Sequence, residues 1–421
     1  MSRRLARVAL AGWAVLLGTA AVAPAAPRPI RFERILPEDG LSQGTVLAIH
    51  QDRQGFVWLG TEDGLNRFDG RAFLHLRHER GAPAEAGLAS SYVRAIAEDS
   101  RGDLWIATEG GGVVRFDPGE LRFERFRHDP RDGATLATDD VREIHVDADD
   151  VVWVGTRGRG LQRIDPATGR VARFVHDPAD PTSLNGRDVL AIASDGEGRL
   201  WVGTEKGLNR FEPARRTFVR YESDPSNPAS APADGVRAIT EDAAGDLWLG
   251  TLGSGLARRD RHTGRFEYFT HDPARPDSLP HDTVRSLLVD NEARLWVGTV
   301  GGLALFDRET ASFWRYAHEP ADPGSLSRDD VMELYQDRAG LLCVGTQHGG
   351  VNTWNPRTWS FGHVAADPAR DNSLSDAMVS SFAMDARGAL WVGTVGGGLN
   401  RFDNGSRQWT HFRADPSAPV S

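Results

Sequence analysis

The feature that most restricts this chain is a tryptophan that returns every 47 or 48 residues. Trp58, Trp105, Trp153, Trp201, Trp248 and Trp296 are followed by Cys343 in the same slot and then by Trp391. Around each anchor lies a short apolar run ending in Gly-Thr or Ala-Thr, as in Gly55-Phe56-Val57-Trp58-Leu59-Gly60-Thr61. Eight copies leave little of the 421 residues outside the pattern. A fixed period of this length means that one supersecondary unit is repeated and that its neighbours, not its own layers, cover its apolar faces.

The copy from Val141 to Asp188 shows the unit. Val141–Asp147 is a β-rich run, and Asp147-Ala148-Asp149-Asp150 is a tight turn where other copies carry glycine, as in Asp52-Arg53-Gln54-Gly55 and Asp99-Ser100-Arg101-Gly102. Val151–Thr156 is a second strand, and Arg157-Gly158-Arg159-Gly160 a glycine-rich loop. Leu161–Asp165 is a third strand, Pro166-Ala167-Thr168-Gly169 a β-turn, and Val171–Val175 a fourth strand. The linker His176–Leu184 contains prolines that exclude helix and central strand. Four short strands in a meander of this size make one propeller blade, so the expected fold is an all-β propeller of four-stranded antiparallel blades in eight units. The tryptophans are expected to pack between blades rather than to hold a ligand.

The chain's two ends bear on how a ring would close. Arg31–Ile35 followed by Asp39-Gly40-Leu41-Ser42 matches a fourth strand and linker placed ahead of the first full unit. A spare outer strand of this kind can stitch the last blade to the first. The chain nevertheless ends on its own fourth strand, Gln408–Phe412, and a new linker at Asp415-Pro416. Two closures stay open: an eight-bladed ring, or a seven-bladed ring with the eighth unit opening a second one.

Arg3, Arg4 and Arg7, an apolar stretch from Val8 to about Ala21, and small residues at Ala21-Val22-Ala23 and Ala23-Pro24-Ala25 read as an export signal over residues 1–25. The alternative is an uncleaved anchor. Cleavage would leave a propeller over 26–421 and take the formal charge from −10 to −13, because three arginines and no acid depart. Lys206 is the only lysine, and acids and arginines are interspersed, so no nucleic-acid surface is expected. Cys343 is the only cysteine, which excludes an internal disulfide and suits an inert core residue.

Gly40-Leu41-Ser42, Val46, Ile49 and Asp52, Gly55 with Trp58-Leu59-Gly60-Thr61, and Gly64-Leu65-Asn66-Arg67-Phe68-Asp69-Gly70 resemble the two-component regulator propeller repeats. That family forms the extracytoplasmic input region of bacterial sensor histidine kinases, hybrid sensors and some diguanylate cyclases. The resemblance covers the chain from about Arg31 onward. It implies two seven-bladed propellers, a β-sandwich, a membrane helix and a cytoplasmic module in the parent protein. This chain would then be a truncated, periplasmic input domain, attached to the inner membrane only through the missing C-terminal part. Seven blades plus a remnant become the favoured count.

The Asp-x-x-Gly turns each offer one or two carboxylates, too few for calcium, and are read as structural. His75, His78, His128, His176, His271, His318 and His411 recur at one blade position, around a circumference rather than at a point, so no zinc site is expected. Glu109-Gly110-Gly111-Gly112 has no helix behind it to cradle phosphate, and no catalytic triad order or carboxylate pair stands out. No cofactor, metal or catalytic residue is expected. The loop between second and third strands does vary, and it should share a face with the linker into the next first strand. Ligand-binding residues are expected there: Glu62, Asp63, Glu109, Arg157, Arg159, Lys206, Gln347 and His348. The ligand would be a small molecule or oligosaccharide, and the partner a second propeller or a second copy. A propeller enzyme (lyase or glycosidase) would show carboxylates and histidine in one channel. An interaction platform would show a broad apolar patch.

Overall fold

The computed structural model describes residues 30–79, 81, 87–357, 366, 372–385, 388–403 and 408–413. The expected leader and the Asp367-Pro368 and Asp415-Pro416 linkers fall outside them. Each repeat folds as a four-stranded antiparallel meander, giving eight such sheets and no α-helix among the described residues. Seven sheets form a ring. Blade 1 has strands Val46–Gln51, Val57–Thr61, Gly64–Phe68 and Phe73–Leu76. The first strands of blades 2 to 7 begin at Val93, Val141, Val189, Val236, Val284 and Val331, and each touches the next around the circle. The circle closes because the first strand of blade 7 touches that of blade 1.

The N-terminal strand Glu33–Ile35 supplies the outer strand of blade 7, pairing antiparallel with Val351–Trp354 through Glu33↔Thr353 and Ile35↔Val351. Arg34 reinforces this join by donating to the backbone carbonyls of Ser325 (2.9 Å) and Leu326 (3.2 Å). Seven blades therefore close with the spare N-terminal strand used up, which settles the open count. By compactness the chain divides into two units, Met1–Trp354 and Asn355–Ser421.

The tryptophans fill the seams between blades. Trp58 of blade 1 is fully buried with Leu104, Ile106 and Phe116 of blade 2, and the Trp58 and Phe116 rings meet edge-on at 5.7 Å. Trp248 meets Phe306 of the following blade at 5.0 Å, and Trp296 meets Trp354 at 5.5 Å. At the closing seam Cys343 packs with Leu41, Val46 and Leu59 of blade 1. The glycine before Thr, replaced by Ala107 in blade 2, has a steric reason there. A Cβ on Gly60 would lie 2.7 Å from Val93 of the next blade, so a larger residue would push two blades apart.

The Asp turns are polar counterparts of these tryptophans. Asp52 Oδ2 accepts from the Trp58 indole at 2.7 Å, while its Oδ1 accepts from the backbone of Gln54 and Phe56. The indole bond recurs from Trp105 to Asp99, Trp153 to Asp147, Trp201 to Asp195, Trp248 to Asp242, Trp296 to Asp290 and Trp391 to Asp385. A buried N–H thus has its acceptor built into the preceding turn. The buried asparagines of the Gly-Leu-Asn motif, Gly-Val-Asn in blade 7, tie down the linkers: Asn66 accepts from Ser42 N, Asn209 from Asn185 N and Asn352 from Ser327 N.

The second unit holds one sheet, with strands Val379–Met384, Leu390–Thr394, Gly398–Asp403 and Gln408–Phe412. Its first strand is exposed along its whole length, with Phe382 78% and Met384 69% accessible. In the ring, the corresponding strands are covered by neighbouring blades.

Candidate functional site

The first strands of all seven blades line a central cavity of about 380 Å³. Each of these strands carries the same irregularity. In blade 3, Val141 pairs with Thr156 and Glu143 pairs with Gly155, so Arg142 is an extra residue with no partner opposite. The shift recurs between Val46 and Ala48, Val93 and Ala95, Val189 and Ala191, Val236 and Ala238, Val284 and Ser286, and Val331 and Glu333. A bulge breaks the strict alternation of a strand and re-aims the extra side chain. Here the extra residue and the one after it both line the cavity.

The extra residues form a girdle of Leu47, Arg94, Arg142, Leu190, Arg237, Arg285 and Met332. Four guanidinium groups thus face one lumen. Two are matched by acids from the mouth: Arg94 Nε donates to Glu109 at 2.8 Å, and Arg285 Nη2 donates to Asp330 at 3.0 Å. Among the described residues Arg142 and Arg237 make no salt bridge or hydrogen bond to an acid, and the buried Arg237 Nε has no hydrogen-bond acceptor, although the charge of Glu143 reaches Arg237. Burial, together with the charges of Arg285 and Arg94, lowers the proton affinity of Arg237, though the group stays a cation at any working pH.

At the next level the lining is small except for Glu143 and Glu333, from blades 3 and 7. Both keep some contact with the lumen but lie deep in the ring, where a carboxylate is poorly solvated. Burial pushes Glu143 up to about 7, although the Ile144 N–H (3.1 Å) and Arg237 pull the other way. Burial, and next the charge of Glu143, push Glu333 up to about 8 against the opposing pull of Arg237. The two acids therefore sense one another across the channel. A carboxylate pair is thus present after all, contrary to the sequence expectation. Its members sit in separate repeats, and strict strand alternation would point Arg142 and Glu143 to opposite faces, so the sequence alone does not display it.

The variable loops lie where expected relative to the strands. The Glu109 N–H bonds to Tyr92 O, Arg157 to Asp140, Glu205 to Asp188, Leu252 to Gly235, Val300 to Thr283 and Gln347 to Asp330. Each bond ties a second-to-third-strand loop to the residues just before the first strand of its own blade. That is the end of the channel nearest the arginine girdle.

Of the eight expected residues, Glu109 alone joins the girdle, through Arg94. Glu62 accepts from Gln43 (3.1 Å) and Tyr92 (3.2 Å) at the rim, and His348 Nδ1 lies 3.0 Å from Thr45 Oγ1. Asp63 pairs with Arg77 at 2.9 Å. Gln347 is held through its backbone, while Arg157, Arg159 and Lys206 are exposed. The structure thus offers a rim of mixed polarity above a cationic channel.

The linker histidines share a structural task. Nδ1 of His78, His128, His176, His271 and His318 faces the carbonyl of Leu88, Leu136, Leu184, Leu279 and Leu326, at 2.7 to 2.9 Å. Each ring closes its linker over a buried leucine. No cluster of three or more His, Cys, Asp or Glu suited to a metal occurs among the described residues.

The two-component regulator propeller family matches residues 40–63, 87–110, 183–206, 230–253 and 373–396. A histidine kinase of Formosa agariphila is 51% identical over 47 residues, 11% of this chain and 3% of that protein. The extracellular domain of a putative hybrid two-component system from B. thetaiotaomicron is 27% identical with a TM-score of 0.74, over 91% of this chain and 49% of that one. A second such domain from the same organism, at 19% identity and TM-score 0.63 over 91% and 54%, shares the fold. The virginiamycin B lyase of Staphylococcus aureus shares the fold more distantly, at 13% identity and TM-score 0.55 over 78% of this chain and 99% of the lyase. The chain spans about half the length of the extracellular domains that it matches. Five of the chain's repeats thus match the two-component regulator propeller model, and its fold resembles that of the extracellular domain of a hybrid two-component system.

Proposed function

We propose that this chain is an exported sensory input domain, which binds a polar ligand at the channel mouth and passes the occupied state to a signalling module. The observation that carries this reading is the likeness to the extracellular domain of a hybrid two-component system over 91% of the chain. The bulged first strands support it, since they hold polar side chains on a rigid ring around one lumen. Residues 1–25 serve as the leader in this reading, and the ring works outside the cytoplasm. The exposed eighth sheet is taken as the first blade of a second propeller, whose next blade would cover Phe382 and Met384. Among the described residues, no helix is long and apolar enough to cross a membrane; in this reading the output module and its membrane link lie in the parent protein.

Export is tested by fusing alkaline phosphatase after the chain: activity in intact cells is expected, and its loss when residues 1–25 are deleted. An inactive fusion made at normal levels would refute the periplasmic reading. Ligand sensing is tested by thermal unfolding of the purified chain against sugars, carboxylates and amino acids, with a specific rise in midpoint as the expected result.

The carboxylate pair is the one observation that favours an enzyme. Glu143 and Glu333 could share acid and base work near neutral pH, as paired carboxylates with raised proton affinity do. The channel lining includes no histidine, which the sequence reading required alongside the carboxylates for a lyase or glycosidase. Among the described residues of the ring, the exposed large apolar side chains, such as Leu74, Leu121, Val175 and Leu252, are scattered singly among blades rather than gathered in one patch. A non-catalytic sensor remains the reading that accounts for most of the site.

A further inference from the structure

We propose that the channel of the seven-bladed ring captures a compact dianion, carboxylate or oxyacid, between Arg142 and Arg237. The inference rests on the ligand-sensing reading and names its chemical class. Arg94 and Arg285 are neutralised by Glu109 and Asp330 at the mouth, which leaves two cations facing the lumen without acids of their own. The only other ionisable groups in the lining are Glu143 and Glu333. Glu143 spends an oxygen on the Ile144 N–H, and among the described residues neither glutamate accepts a hydrogen bond from a girdle arginine, although Arg237 attracts both carboxylates through the lumen.

Proteins do not ordinarily keep unmatched guanidinium groups together away from water, because each loses solvation and repels the others. The charges of Arg94, Arg142 and Arg285 all act on Arg237. Arg237 Nε, buried and without an acceptor, is a donor held in place with nothing to donate to. Such local conflict is expected where binding resolves it. A ligand carrying two negative charges would match the two unpaired cations, and planar guanidinium forks favour carboxylate and oxyacid geometry. The cavity of about 380 Å³ admits a molecule of a few carbons. Leu47, Leu190 and Met332, at the same level as the arginines, offer apolar contact to a short carbon backbone.

The test is a thermal unfolding titration of the whole chain. Sodium succinate is one probe and sodium sulfate the other, with sodium chloride at equal ionic strength as reference. A midpoint rise with either dianion beyond chloride is expected. Arg142→Met and Arg237→Met should each weaken the apparent affinity at least tenfold. The outer-surface variants Arg131→Gln and Arg170→Gln, at exposed positions away from the channel lining, should leave it unchanged.

Removing an unmatched buried charge should also raise the midpoint of the ligand-free Arg237→Met protein, so function and stability would move in opposite directions. A response to succinate alone assigns a dicarboxylate, to sulfate alone an oxyacid, and to both a site that reads charge. No response beyond chloride, a response that survives both girdle variants, or one lost in the outer-surface variants would overturn the inference. If an exported chain answers to a neutral ligand and to neither dianion, the sensing reading stands and this inference falls.

Discussion

The repeat contains its own control for the role of the Asp turns, because one blade has lost the tryptophan and kept the aspartate. In blade 1, Asp52 accepts from the Trp58 indole at 2.7 Å and from the N–H groups of Gln54 and Phe56. In blade 7, Asp337 accepts from the Leu341 N–H at 2.7 Å, and the tryptophan slot holds Cys343. Replacing Asp52 with alanine would strand an indole N–H on a side chain with no exposed surface. An orphaned buried donor costs about 1–3 kcal/mol. The turn N–H groups lie among exposed residues, so water can replace their acceptor at a cost of roughly 0.5 kcal/mol each. Asp52→Ala is therefore expected to destabilise by about 3 kcal/mol and Asp337→Ala by about 1 kcal/mol or less. Urea unfolding followed by tryptophan fluorescence reads the difference as a shift in midpoint at constant slope. A cycle with Trp58→Phe should return a coupling of about 2 kcal/mol. Equal losses from the two alanine variants, with no coupling, would show that the aspartate serves the turn alone.

Three further outcomes follow. Glu143 and Glu333 bind protons more tightly folded than unfolded, so their contribution to stability is complete at acid pH and is lost as pH rises through about 7 to 8. The thermal midpoint should fall on going from about pH 6 to about pH 9, and Glu333→Gln should flatten the fall; an unchanged slope would refute the assignment. Deleting residues 30–36 removes the outer strand of blade 7 and the Arg34 bonds to Ser325 and Leu326, so limited proteolysis should first cut near blades 1 and 7. Cutting first at the middle blades would show that the strand is not what holds the ring closed. The Cys343 thiol is buried, which pushes it up to about 12, so a thiol reagent at mildly alkaline pH should label it only when the closing seam opens. Rapid labelling of the folded chain would contradict the burial.

The sequence by itself determined the blade. A tryptophan every 47 or 48 residues, an aspartate six residues before it and glycines at the turns specify four strands and an interblade seam, because those interactions are local or lie between neighbouring repeats. The spare strand Arg31–Ile35 and the face shared by loops and linkers were legible for the same reason. The number of blades was not legible, since it depends on the angle at which successive sheets pack. That angle is a property of whole seams, and only the contact between the first strands of blades 7 and 1 decided it. The channel site was hidden more deeply. Val-Arg recurs at Val93-Arg94, Val141-Arg142, Val236-Arg237 and Val284-Arg285, but a regular strand would turn Arg142 and Glu143 to opposite sides. The bulge brings both to the lumen, and ring closure brings Glu143 of blade 3 and Glu333 of blade 7 within electrostatic reach. Local pairing fixes a blade, whereas charges that meet at an axis belong to no single repeat and arise only when the circle is complete.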